Sequence, residues 1–200
     1  MSKHAQDMPP PCRLAFAQLV QGPEAAIDLA QVALLIAKED YPDLDVAVYL
    51  ARLDAMGEEV QRLADGSLDP HRLIAALNEY LFQQLGFRGN PENYYDPKNS
   101  FLNEVLDRRT GIPITLSAVY LEVSRRIGFP LHGVGMPGHF LVKYEGRDEE
   151  IVVDPFGGGR ILSDPDYQRI LDRIYGGKLC FERGMLAALG TRQILARMLT

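Results

Sequence analysis

Apolar residues recur at three- and four-residue intervals through most of the first 86 positions, the spacing that gathers them on one face of a helix. In 23–38, Ile27, Ala30, Val32, Leu34 and Leu35 leave hardly any polar face, which predicts a well-buried helix. Tyr41-Pro42-Asp43 interrupts the pattern. It resumes over 44–64 with Val46, Tyr49, Leu50, Leu53, Met56, Val60 and Leu63, and Asp65-Gly66-Ser67 closes that second helix. The third, 70–85, has clear ends: Asp69 as N-cap, Pro70 at the first helical position, and Gly86 beyond the last turn. Three helices joined by short turns predict a helical bundle over 22–90. Residues 1–21, with a Pro9-Pro10-Pro11 run, are expected to be a disordered or extended lead-in.

Residues 86–100 abandon this period for Gly, Pro, Asn and Asp at turn frequency. The tyrosines and asparagines of that loop either line a pocket or pack the loop on itself. A short helix follows over 101–109. The next helix, 113–127, opens on Pro113, buries Leu116, Val119, Tyr120 and Val123, and ends with Arg125 and Arg126 where the helix dipole favours cations. Beyond Gly128 and Pro130 the period changes to two, with a short strand over 131–135 and two more over 139–144 and 150–154. A hairpin turning at 145–148 pairs Tyr144 with Glu149 and so sets His139 opposite Asp154; a two-residue slip would keep both on one face. Gly157-Gly158-Gly159 then predicts a flexible turn against the pocket, since no Lys-Ser/Thr follows to make a phosphate loop. Asp164-Pro165 caps a helix to 175. A last amphipathic helix begins near 191 and stops without a cap or breaker, so the chain is expected to continue past Thr200.

The fold class is therefore α+β, with the bundle followed by a core over 91–180 holding a small antiparallel sheet, and a C-terminal helical segment over 181–200. At 200 residues, 46% of them hydrophobic, the chain can bury one core with a helical appendage. A net charge of −6 argues against the phosphate-neutralising surface of a nucleic-acid binder. The longest apolar runs, such as 32–37, fall far short of the roughly 20 residues a membrane span needs, and the early prolines do not suit a signal peptide. No membrane association and a cytoplasmic location are expected. Cys12 and Cys180 stand far apart and outside any Cys-x-x-Cys, so neither a disulfide framework, a metal site nor a cofactor is predicted.

Thiol catalysis of acyl transfer needs a Cys at a helix N-terminus, a His to exchange protons and a carboxylate to orient the His. The stretch 111–154 supplies the last two as His139 and Asp154. In Gly111-Ile112-Pro113, Arg125-Arg126-Ile127-Gly128-Phe129-Pro130, His139 and Asp154-Pro155 the sequence resembles transglutaminase and papain-like cores, with Pro113 where that family has its Cys. More broadly, Leu77-Asn78-Glu79-Tyr80-Leu81-Phe82, the run from Tyr94 to Ser100, Arg109-Thr110-Gly111-Ile112-Pro113-Ile114-Thr115-Leu116, Pro137-Gly138-His139-Phe140 and Asp154-Pro155-Phe156 resemble the bacterial SirB-type family. That resemblance implies a transglutaminase-like core and a largely uncharacterised function linked to gene regulation.

Proline has no ionisable group, so covalent catalysis at position 113 is excluded. Successive helical residues turn by about 100°, which points Thr115 away and returns Ser117 to the Pro113 face one turn deeper. The resulting expectation is a non-catalytic regulatory or scaffold module that binds a peptide or protein in a cleft lined by Asn99, Ser100, Arg109, Pro113, Ser117, His139 and Asp154. The alternative is a hydrolase or acyltransferase in which His139 and Asp154 activate water or a hydroxyl such as Ser117 or Ser100. Oligomeric state is left open.

Overall fold

Helix α1 (Pro11–Gln21) occupies part of the segment expected to be an extended lead-in. Proline suits a first helical turn, and Phe16, Leu19 and Val20 pack onto the core, so burial outweighs the Pro-rich entry. The computed structural model describes residues 10–200, and positions 1–9 of that lead-in lie outside the described residues.

Helix α2 (Leu29–Ala37) begins later than the expected start at 23, because the Asp28 carboxylate accepts the Gln31 N–H at 2.8 Å and fixes the N-cap there. Asp45 and Asp69 cap α3 (Val46–Ala64) and α4 (Pro70–Asn78) in the same way. After Asn78 the helix widens into a π-helical turn over Glu79–Gln84, so the single helix expected over 70–85 changes pitch midway. Gly86, at φ 75°, takes the left-handed conformation that ends it.

The 86–100 loop is ordered. Strand β1 (Arg88–Gly89) pairs in parallel with β2 (Thr110–Gly111), a 3₁₀ turn covers Pro97–Ser100, and α5 (Leu102–Arg108) follows. Helix α6 (Pro113–Arg126) forms the axis of the molecule, with Leu116, Val119, Tyr120 and Val123 buried. Each such side chain contributes about 1.5–3 kcal/mol by leaving water.

Strands β3 (Leu131–Val134), β4 (Leu141–Glu145), β5 (Glu150–Asp154), β6 (Arg160–Leu162) and β7 (Ala188–Leu189) form an antiparallel sheet in the order β6-β5-β4-β3-β7. Alternation along the strands sends side chains to two layers. Val142, Ile151 and Val153 join the large apolar cluster of α2 to α6, while Val134, Leu141 and Val152 join a second cluster with Tyr167, Ile170 and Leu171 of α7 (Asp164–Tyr175). Because both faces are covered, β4 and β5 read as nearly continuous apolar runs. The N-cap of α7 is Ser163 and not Asp164: Asp166 accepts the Ser163 N–H and O–H at 2.9 and 2.6 Å. Helix α8 (Thr191–Met198) closes the chain against α2 and α6.

The β4–β5 register pairs Tyr144 with Ile151 and Glu145 with Glu150, a two-residue slip from the expected Tyr144–Glu149 pairing. The tight turn closes on itself through the Gly146 N–H bonded to the Glu149 carbonyl at 2.9 Å. His139 therefore precedes β4 instead of starting it, but parity is kept and the shared face with Asp154 survives.

Candidate functional site

Three segments converge at the N-terminus of α6. The first is the helix start itself. Pro113 takes its first turn, and Thr115 stands in for the usual Glu or Gln of a capping box: its Oγ1 accepts the Ile112 N–H at 3.1 Å and donates to the Asn99 carbonyl at 2.8 Å. The second is the Met136–Phe140 turn. The His139 N–H donates to the Met136 carbonyl at 3.0 Å, and Gly138 supplies the positive φ of 68° that the turn requires. The third is the 154–159 loop, where the Gly159 N–H donates to the Asp154 carbonyl at 2.9 Å.

His139 Nε2 lies 3.0 Å from Asp154 Oδ1, with only 10% and 9% of the two side chains exposed. A carboxylate can only accept, so Nε2 carries the proton in the neutral ring and Nδ1 is left as a lone pair. Phe156 stands edge-on to the imidazole at 5.9 Å, and Tyr94 stands edge-on to Phe156 at 6.2 Å. The histidine is thus held by one charge-capable hydrogen bond and an aromatic wall.

A cavity of about 280 Å³ opens here, lined by Tyr94, Ile112, Pro113, Ile114, Met136, Gly138, His139, Phe140, Arg197 and Thr200. A second, of about 240 Å³, adjoins it and shares Tyr94, Ile112, Ile114, Arg197 and Thr200. A larger hollow of about 660 Å³ lies at the other end of α6, beside Glu122, Arg125 and His132. At 1.5 Å per residue that is roughly 12–18 Å from Pro113, too far for it to share chemistry with His139.

Not all of the residues expected in the cleft are in it. Pro113 and His139 line it, and Asp154 backs it. Ser100 is exposed and, of these two cavities, lines the adjoining one and not that of His139. Ser117 is fully buried with its Oγ 3.5 Å from the Phe140 carbonyl, and Asn99 is fully buried, donating to the Asn93 and Tyr94 carbonyls at 2.7 and 3.3 Å. Asn99 ties the loop together and does not face a ligand. Arg109 points elsewhere: at φ 55° it ends α5 and donates to the Leu85 carbonyl at 2.8 Å. The preceding loop does reach the pocket, through Tyr94, whose phenol is pushed up in pKa by burial.

Sequence reasoning missed Arg197 as a lining residue, and Asn78 as the residue that holds the Asp154 loop. Asn78 accepts from the fully buried Tyr120 hydroxyl at 3.0 Å and donates to the Gly159 carbonyl at 2.7 Å. It lies in the quoted Leu77–Phe82 stretch, and its polarity on an otherwise apolar helix face was the available signal. Among the described residues no group of three His, Cys, Asp or Glu side chains is placed to hold a metal ion, and no helix is long and apolar enough to cross a membrane.

Residues 47–200 match the family model of the transglutaminase-like superfamily. A UPF0162 protein of Xylella fastidiosa strain 9a5c is 42% identical over 180 residues, covering 88% of this chain and 64% of its own length. A UPF0162 protein of Pseudomonas aeruginosa is 31% identical over 180 residues, 90% of this chain and 64% of its own length. Human F-box only protein 21 is 36% identical over 140 residues, 61% of this chain and 22% of its own length. The chain thus spans 64% of the length of these two bacterial relatives. No solved structure matches it. With the family model matched over 47–200, on a mixed α and β fold with a small antiparallel sheet, the chain belongs to the transglutaminase-like superfamily.

Proposed function

We propose that the chain is a non-catalytic transglutaminase-like module, a regulatory or scaffold unit that binds a peptide or protein segment in the cleft beside His139. The observation that carries this reading is Pro113: it lines the same cavity as His139, at the helix start where thiol acyl-transfer chemistry needs its nucleophile. No nearby side chain replaces the thiol. Ser117 is buried away from solvent, and Ser100 lines the adjoining cavity but not that of His139. Of the two hydroxyls that do line it, Thr200 donates to the Arg197 carbonyl at 3.2 Å and Tyr94 has a raised pKa, so neither forms an alkoxide readily. The match to human F-box only protein 21, where the matched stretch covers 22% of that protein, supports a unit that works as part of longer chains.

A second reading, hydrolysis or acyl transfer through water, rests on the intact His139–Asp154 pair at 3.0 Å. Binding is tested by selecting peptides from a displayed library on the wild-type protein and measuring them on Tyr94→Ala and Ile114→Gln. Selected peptides that lose affinity for both variants support the cleft. Peptides that bind the variants unchanged place recognition elsewhere and overturn it.

A further inference from the structure

We infer that the occupant of this cleft is an acidic peptide segment, an Asp or Glu side chain with an apolar neighbour, with Arg197 as the receptor for its carboxylate. The inference rests on the peptide-binding reading above and adds the chemistry of the partner.

Arg197 lines both cavities. It lies against Gly135: a Cβ built on that glycine would fall 2.5 Å from Arg197 Cζ, so a side chain there would displace the guanidinium. One donor, Nη2, is used on the Gly135 carbonyl at 3.2 Å. Among the described residues no carboxylate comes within 4.0 Å of it. The guanidinium is therefore positioned by the protein while most of its five donors are left unused.

The charge count around it decides the sign of the ligand. Among the described residues the one acidic side chain lining either cavity is Asp96, and Arg108 neutralises it at 2.9 Å while the Lys98 N–H holds its pKa down. Asp154 is paired with His139. Among the described residues no acidic side chain is then left to pair with Arg197. Arg197 is exposed at the rim. A basic ligand would be repelled by it and, among the described residues, would meet no free acidic side chain, while a neutral one would leave its open donors to water.

Size and surroundings select a peptide. Each cavity alone, about 280 and about 240 Å³, is smaller than the roughly 300–1,000 Å³ of a small-molecule site, and the two adjoin, so an extended chain running from one into the other fits them better than a compact ligand seated in one. Ile112 and Ile114 line both beside Arg197, and Pro113, Met136 and Phe140 add an apolar wall to the first. Tyr95, 92% exposed and edge-on to Tyr94 at 5.4 Å, extends the wall outward as a shelf for a neighbouring residue. Two adjoining recesses that share Ile112, Ile114 and one cation fit a carboxylate with an apolar neighbour.

The test uses the full chain and peptides selected from a displayed heptapeptide library, resynthesised with acetylated and amidated ends so that side chains carry the only charges. Fluorescence polarisation follows each peptide, its Glu→Gln or Asp→Asn counterpart, and the variants Arg197→Ala, Arg197→Lys and Arg197→Glu; circular dichroism checks that the variants fold. Enrichment of acidic peptides is expected, with about tenfold weaker binding in Arg197→Ala, since a charge-assisted hydrogen bond is lost. Arg197→Lys should restore part of it, and Arg197→Glu should abolish it. Peptides that depend on Tyr94 but show no acidic preference and no response to Arg197→Glu overturn this inference and leave the binding reading standing. A library that yields no peptide dependent on the cleft overturns both.

Discussion

His139 Nε2 and Asp154 Oδ1 lie 3.0 Å apart although the sheet does not oppose the two residues. Extending the observed register puts Leu141 beside Asp154, so the histidine reaches the carboxylate diagonally from the turn before β4. The contact depends on two turns, one closed by the His139 N–H on the Met136 carbonyl and one by the Gly159 N–H on the Asp154 carbonyl. What holds those turns holds the site.

Asn78 should be such a support. Asn78→Ala removes its bonds to Tyr120 and Gly159 and leaves a fully buried phenol without its partner. A loss of about 1–3 kcal/mol in urea unfolding is expected. In the Asn78→Ala background, Tyr120→Phe should cost clearly less than it does alone, because the shared bond is already gone. Additive losses would show that the two side chains do not act together.

Pro113→Cys should produce a reactive thiol. The position combines a helix N-terminus with a neighbouring imidazole, both of which favour thiolate. Iodoacetamide should label it at pH 7 faster than it labels the exposed Cys180, and adding His139→Ala should slow that labelling. Labelling no faster than at Cys180 would mean that the cleft lacks the electrostatics of a thiol site.

The acid side of stability should report on Asp166. Hydrogen bonds from the Ser163 hydroxyl and N–H hold its pKa below the usual carboxylate value. A depressed folded pKa favours the folded state fully above the unfolded value of about 3.9, and that contribution is lost as pH falls through the folded value. Asp166→Asn should therefore be less stable at neutral pH and show a shallower decline in urea midpoint on acidification below about pH 5. A curve parallel to the wild type would remove this carboxylate from the cause.

The helix boundaries at Asp69, Gly86, Pro113 and Gly128 were legible because capping and breaking are local. So was the face shared by His139 and Asp154, since strand parity survives a two-residue slip. Helix α1 was not, because its stability comes from packing Phe16, Leu19 and Val20 on distant residues. Ser117 was expected in the cleft from helical periodicity, and Asn99 and Arg109 from the stretches that carry the family resemblance. Each is instead turned to a backbone carbonyl, a choice made by tertiary geometry that residue type does not encode. Arg197 carries no local signal, since it comes to the cleft from the far end of the chain.

The central claim is that this cleft binds without cleaving or transferring. The direct measurement is turnover of a panel of fluorogenic amides and esters, and of amine incorporation into glutamine peptides, by wild type and His139→Ala in parallel. Equal background rates for the two proteins are expected in every assay. A wild-type rate that is reproducible and disappears in His139→Ala would contradict the claim and establish the His139–Asp154 pair as a working acid–base catalyst.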